Sequence, residues 1–422
     1  MKVLVVSHES WNSKTNGGNV LTNIFSGFDW EFRQIYCSAG MPENNICDDY
    51  YQITDKMVLD NVLKRKKVGK RFKLSETIET NTLDEKFETT SKKRRWQIIF
   101  MAREIVWSLS KIDNDDFINF IKEYEPDIVF APCYGNPRML RLTRIINKYT
   151  TAPIISYVSD DLYSYKALEF NPLYWIRRWN LRRHVRETFK LYKLVYTMTK
   201  EQLIEYINNF NVPMKILRKG CFPGDINKFY KPYRIIYAGG IYLNRVNILI
   251  ELANTIKKIN ENGIKFILDI YSNGELNSEE KEILDNQIDT YYHGLISPEQ
   301  LIKEYDNSSI ALHVESFDLK NSLITRLSFS TKITDCLQSG AAVMAICPEI
   351  NAGFKYLLEE DAAICISNLD ELETSLRNIL NNPEILTDYA LKARECIIKN
   401  HNPLKNKEMI ADDFHKYALS VK

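Results

Sequence analysis

The sequence predicts an α/β protein with two doubly wound parallel-sheet domains, and three observations carry that expectation. Short, continuous apolar runs recur along the whole chain, the pattern of strands covered on both faces. Segments with helix punctuation separate them. A break at Gly220–Pro232, rich in glycine and proline, is followed at once by a new apolar run from Arg234.

The runs fall in order. Met1–Val6, Phe32–Tyr36, Asp127–Ala131, Ile154–Val158 and Leu194–Thr197 belong to the first half. Arg234–Ala238, Phe266–Tyr271, Thr290–His293, Ile310–Val314, Ala342–Ile346 and Ala363–Ile366 belong to the second. Between them, Ser297-Pro298-Glu299-Gln300 supplies an N-cap, a proline at the first helical position and a glutamine at the capping-box place. Gly340 closes the helix that carries Ile333 and Leu337. The expected domains are 1–222 and 233–402, with 403–422 a final helix bearing Met409, Ile410, Phe414 and Tyr417. Residues 60–110, basic and polar, read as an insertion in the first domain.

With 45% hydrophobic and 26% charged residues, the composition excludes a disordered or collagen-like chain. No run approaches the roughly 20 apolar residues of a membrane-spanning helix, and Ser7-His8-Glu9 ends the opening run too early for a secretory signal. Eight cysteines stand singly, with no Cys-x-x-Cys, so buried thiols in a reducing cytoplasm are expected and no metal site is.

The net charge of +1 hides an asymmetry: residues 1–230 hold 36 Lys and Arg against 27 Asp and Glu, and the remainder 20 against 28. An anionic partner met by the first half is the expectation. The positive charge is concentrated in Lys64-Arg65-Lys66-Lys67, Lys70-Arg71-Phe72-Lys73, Lys92-Lys93-Arg94-Arg95 and Tyr174–Arg183. The last, interleaved with Trp175 and Trp179, suits an anionic membrane face or a plain solvated helix equally. Nucleic acid is disfavoured, because no recognition signature accompanies the charge.

Glycine is scarce, 15 in all, so its placement is informative. Gly17-Gly18 and Gly239-Gly240 each follow the first strand of a domain, where backbone N–H groups can approach an anion; neither is Gly-x-Gly-x-x-Gly. Leu312–Gly340 holds most of the candidate chemistry. Glu315 lies just past a strand's carboxyl end, where α/β sheets hold ligands, followed by Ser316 and Phe317. Ser330-Thr331-Lys332 opens a helix with two hydroxyls, free amides and an ammonium for phosphate oxygens. Asp335, a turn deeper, suits a pair of ribose hydroxyls. Either Asp160 or Asp161, past the strand Ile154–Val158, could orient or deprotonate an acceptor hydroxyl, and Asp160 is favoured as the first off the strand. His8 stays outside the catalytic set.

These residues together resemble the GT-B fold glycosyltransferases, specifically the family 4 (group 1) type of bacterial surface-polysaccharide synthesis, over nearly the whole chain and most strongly from Ile236 to Cys365. The resemblance implies two Rossmann-like domains facing across a cleft, and a final helix that crosses back to the first. It matches Gly17-Gly18 to the first-domain glycine loop. It gives Gly239, Gly240 and Arg245 to the donor diphosphate, and Asn273, His293 and Gly294 to two loops lining the nucleotide. The family's acidic pair is Glu, seven residues, Glu; here Glu315 and Asp335 are twenty apart. Ser330-Thr331-Lys332 resembles a segment found in a subset of bacterial members.

The resemblance further implies metal-independent, retaining hexosyl transfer from a UDP- or GDP-linked sugar, with no additional cofactor, to a saccharide or lipid-linked acceptor. The setting would be the cytoplasm, at the inner face of the plasma membrane. Two other readings stay open: a catalytically silent scaffold, motivated by the stretched acidic pair, and a nucleotide-sugar epimerase of the same fold.

Overall fold

The computed structural model describes residues 1–12, 16–76 and 97–420. The first sheet contains β1 (Lys2–Ser7), β2 (Glu31–Tyr36), β3 (Asp49–Gln52), β4 (Lys70–Lys73), β5 (Ile128–Phe130), β6 (Ile154–Val158), β7 (Tyr192–Thr197) and β8 (Met214–Ile216), in the order β4-β3-β2-β1-β5-β6-β7-β8. The second contains β9 (Tyr233–Ala238), β10 (Phe266–Tyr271), β11 (Thr290–Tyr292), β12 (Ile310–Val314), β13 (Ala342–Ile346) and β14 (Ile364–Ile366), in the order β11-β10-β9-β12-β13-β14. Neighbouring strands run parallel except β3 and β4.

The apolar runs form strands because both faces are covered. Along β1, Val3 and Val5 join one core while Leu4 and Val6 join another. Along β13, Val343 and Ala345 face the first of these cores, and Ala342, Met344 and Ile346 a third. The shared core, reached from both sheets, also takes Ile410 and Phe414 of the last helix, Pro403–Leu419. Phe414 stacks on Trp30 with ring centroids 5.3 Å apart. Its neighbour Asp413 accepts from the Tyr196 hydroxyl at 2.8 Å and the Lys215 ammonium at 2.6 Å. The last helix therefore lies on the first sheet.

Three strands went unread in the sequence. β4 is Lys-Arg-Phe-Lys on an edge and is mostly exposed, so its burial pattern carries no apolar run. β3 and β8 are four and three residues long. The basic clusters near them are also locally neutralised: Lys64 pairs with Asp60, Lys67 with Asp116, and Arg71 with Asp49 and Glu123. The Lys92–Arg95 cluster lies outside the described residues. None of the eight cysteines forms a disulfide, and among the described residues no helix is long and apolar enough to cross a membrane.

The twenty-residue spacing from Glu315 to Asp335 has a structural cause. Between them the chain forms a short helix, Leu319–Thr325, and then a strap, Arg326–Ser330, that leaves the second domain and docks on the first. Arg326 is 7% exposed and pairs with Asp161 at 2.8 Å and with both oxygens of Glu205 at 2.6 and 3.0 Å. Leu327 is buried in the first domain's own core, and its carbonyl accepts from the Thr199 hydroxyl. Ser328 donates to Asp160 at 3.2 Å. Burial alone would raise the Asp161 carboxyl; hydrogen bonds from Ser164 and the charges of Arg178 and Arg326 outweigh it and hold it below the ordinary carboxylate range.

Arg326→Ala would leave Asp161 and Glu205 without their shared partner. It is expected to cost about 3 kcal/mol or more in urea denaturation and to increase the radius of gyration in solution scattering. Arg326→Lys should recover little, because an ammonium cannot fork between two carboxylates. Wild-type stability and dimensions in Arg326→Ala would refute the strap's role.

Candidate active site

Both sheets turn their carboxyl edges toward one cleft, which encloses a cavity of about 960 Å³. In the second sheet the chain leaves β9 and β12, adjacent strands whose connections diverge, at the place where α/β sheets leave a crevice. Gly239 follows β9, and a Cβ there would collide with the Lys332 stem, so the bare backbone lets Lys332 lie across it. Leu243 and Asn244 then take left-handed conformations (φ 58° and 59°), an uncommon pair for residues with side chains. That turn starts the helix Arg245–Ile259 with Arg245 aimed inward.

Arg245 meets Glu315, which follows β12, through hydrogen bonds of 3.1, 2.7 and 2.9 Å. Arg245 is 7% exposed and Glu315 3%. Burial works against the guanidinium charge, but the carboxylate outweighs it and makes Arg245 a firmer cation than usual. Its Nη1 is buried without a hydrogen-bond partner. Beneath the pair, His313 is 2% exposed; burial, then the charges of Arg245 and Lys332, pushes it down to about 3, so it is neutral.

The helix Thr331–Gln338 opens at Ser330 with no side-chain cap on its first amides, and Ser330, Thr331 and Lys332 all line the cavity. Lys332 has no side-chain hydrogen bond or ion pair among the described residues. An uncapped helix start carrying an unpaired ammonium is a ready anion site. Asp335 also lines the cavity, held by Lys219 of the interdomain crossing at 2.7 Å. Across the cleft stand Tyr157, Ser159 and the exposed Asp160, whose carboxylate accepts from Ser159 and Ser328, each at 3.2 Å. Among the described residues no His, Cys, Asp and Glu group of metal-holding size is present.

The cavity thus brings together Arg245, Glu315, Ser330, Thr331, Lys332 and Asp335 from one side and Asp160 from the other. Other expected site residues lie elsewhere. Ser316 is 4% exposed and its hydroxyl is committed to Asp318, the N-cap of Leu319–Thr325; Phe317 packs on the second-domain core. Both shape the turn after β12 and neither lines the cavity. Gly17 and Gly18 fall inside the first turn of the helix Asn16–Phe25 and not ahead of it, and Gly18 is needed for close approach to Asn12. Gly240 sits beside the Tyr242 ring, its carbonyl accepting from the Tyr237 hydroxyl.

Asn273, His293 and Gly294 lie past the ends of β10 and β11, away from the cavity lining. His293 bonds Asp269 at 2.7 Å and stacks on Tyr271, with centroids 4.7 Å apart. His8 bonds Arg138 at 3.0 Å, also away from it. The sequence reading passed over Arg218 and Lys219, which line the cavity from the interdomain crossing; two cations ahead of a glycine in a proline-rich break were their only signal.

Residues 253–410 match the family described as glycosyl transferase-like. No curated protein matches the chain in sequence. Among solved structures, a sucrose-phosphate synthase from Thermosynechococcus elongatus superposes with a TM-score of 0.61 at 10% identity, covering 99% of each chain. A trehalose-6-phosphate protein from E. coli, bound with UDP-2-fluoro glucose, gives 0.60 at 10% identity over 98% of this chain and 99% of its own. S. aureus TarM, solved with Fondaparinux, alpha-GlcNAc-glycerol and UDP, gives 0.52 at 14% identity over 70% of this chain and 58% of its own. The chain shares the two-domain GT-B fold of these structures, and residues 253–410 are similar to a glycosyl transferase-like family.

Proposed function

We propose that the chain is a retaining hexosyltransferase that moves a sugar from a UDP- or GDP-linked donor to the hydroxyl of a saccharide or lipid-linked acceptor. The observation that carries this reading is Lys332: an unpaired ammonium at an uncapped helix start, laid across Gly239 and opening into the interdomain cavity. The bond from anomeric carbon to phosphate oxygen breaks, the acceptor oxygen bonds to that carbon, and negative charge collects on the departing diphosphate. Lys332, the free Nη1 of Arg245 and the amides at Thr331 and Lys332 stabilise that charge in a cleft poor in water. The acceptor proton passes to Asp160 or to the departing phosphate itself. Glu315 fixes Arg245 and lies where a sugar hydroxyl would reach it. Asp335, paired with Lys219, lies where the ribose would sit.

Lys332→Ala should lower turnover with the donor by about 2–4 kcal/mol in transition-state free energy, roughly 30- to 1,000-fold. It should also weaken UDP or GDP binding in calorimetry while leaving the melting temperature unchanged. Full activity in Lys332→Ala would remove the phosphate assignment. A wild-type chain that binds neither nucleotide would favour a scaffold, and donor consumed at the same rate without acceptor would favour hydrolysis or epimerisation.

The lipid-linked acceptor is supported at the cleft mouth. The cavity-lining loop Lys166–Glu169 runs into Phe170, 89% exposed, and the helix that follows, Pro172–Phe189, exposes Ile176, Trp179 and Arg183. The other arginines of this stretch are engaged: Arg177 pairs with Glu104, Arg178 with Asp161, Arg182 lies over the Tyr163 and Tyr165 rings and Arg186 donates to the Tyr163 hydroxyl, while Trp175 donates to the Glu169 carbonyl. In liposome flotation, anionic vesicles should retain the wild type, and Phe170→Ser with Trp179→Ser should release it. Flotation indifferent to both lipid charge and these substitutions would remove the membrane part.

A further inference from the structure

The cleft's cations are almost all matched to a local anion. Lys166 faces Glu205, Arg178 faces Asp161, Lys219 faces Asp335, Arg245 faces Glu315 and Lys320 faces Glu169. Lys407 donates to the Gly27 carbonyl. Two cavity-lining cations have no side-chain hydrogen bond or ion pair among the described residues: Lys332, already given to the donor, and Arg218.

Arg218 follows β8 at the crossing between the domains and is half-buried. Its guanidinium lies over the Tyr356 ring, 4.2 Å from the centroid, with Phe329 at 5.7 Å. Nε is buried and unpartnered. A guanidinium cannot shed its charge on burial, and aromatic faces satisfy its plane but not its N–H edge. Nor do the adjacent groups supply an anion. Tyr356 bonds His401 at 2.8 Å, and His401 is 0% exposed; burial first, with Arg218's charge adding, pushes it down to about 4, so it is neutral. Of the acids around the crossing, Asp335 is engaged by Lys219, Glu360 by Lys399, and Asp160 by Ser159 and Ser328. Arg218 is carried by the first sheet, two residues past β8, and lines the cavity, so its side chain is offered from the first-domain end of the crossing.

We propose that Arg218 is a phosphate-binding residue of the acceptor half, and that the acceptor carries a phosphate ester or diphosphate close to the hydroxyl that reacts. The planar N–H fork matches two phosphate oxygens, which a lysine cannot do in the same way. This rests on the reading of the first-domain side as the acceptor side. A sugar phosphate and a lipid-linked diphosphate share the chemistry.

The test is calorimetric titration of inorganic pyrophosphate into the full chain, with and without saturating UDP or GDP, in wild type, Arg218→Met, Arg218→Lys and Lys332→Ala. Methionine keeps apolar cover on Tyr356, and thermal melts identify any variant that fails to fold; Arg218→Lys then carries the comparison. The expected result is pyrophosphate binding that survives in the presence of nucleotide. It should fall at least tenfold in Arg218→Met, fall less in Arg218→Lys and stay unchanged in Lys332→Ala. Three results overturn the proposal: binding in folded Arg218 variants equal to wild type, loss of wild-type pyrophosphate binding once nucleotide is present, or weaker nucleotide binding in Arg218→Met. The last two give Arg218 to the donor. If nucleotide binds no form of the chain, the enzymatic reading fails, while the titration without nucleotide still decides whether Arg218 holds phosphate.

Discussion

The geometry of the cleft depends on one arginine crossing between domains. Arg326 leaves the second domain on its strap and enters a site formed by Asp161 and Glu205 of the first, where water is largely excluded. A buried charge is tolerated only when paired and hydrogen-bonded, so this contact has few alternative geometries. Leu327 adds apolar burial beside it, and Ser328 reaches Asp160. On the opposite face of the first sheet, Asp413 and Phe414 of the last helix make a second crossing. With both in place, the carboxyl edges of the two sheets face each other at a width set by side chains.

That arrangement explains why the segment from Glu315 to Asp335 is long. The helix Leu319–Thr325 and the strap occupy the added length, and the chain then returns to begin Thr331–Gln338 against Gly239. The acidic positions remain on one cavity wall in spite of their separation. Electrostatically the wall is nearly neutral on its own, because most of its cations are matched by carboxylates. The remaining positive charge is confined to a few N–H groups, where a diphosphate would find fixed donors and not a diffuse field.

Much of this was legible from the sequence, for identifiable reasons. Buried parallel strands are continuous apolar runs, and every such run read in the second half is a strand. The glycine at 239 was legible as a close approach, though the object approaching it, the Lys332 stem, was not. Edge strands such as β4 escaped, since an exposed edge needs no apolar residue. Charge was the least transferable signal. Arg177 and Arg178 look like surface cations in a basic helix, yet each pairs with a partly buried acid more than a dozen residues away in sequence. Ser316 and Phe317 adjoin a cleft residue but point along a turn whose shape only the fold defines. Arg218 had no motif at all; its interest comes from the absence of a partner, which only coordinates can disclose.

The central claim is that a nucleoside diphosphate lies between the two domains with its phosphates on Lys332 and the start of Thr331–Gln338. A crystal structure of the chain with UDP or GDP tests it most directly. The account predicts phosphate oxygens within hydrogen-bond distance of Lys332 Nζ and of the backbone amides at Thr331 and Lys332, with Arg245 still held by Glu315. A nucleotide bound outside the interdomain cavity, or one whose phosphates face solvent with Lys332 untouched, would contradict it.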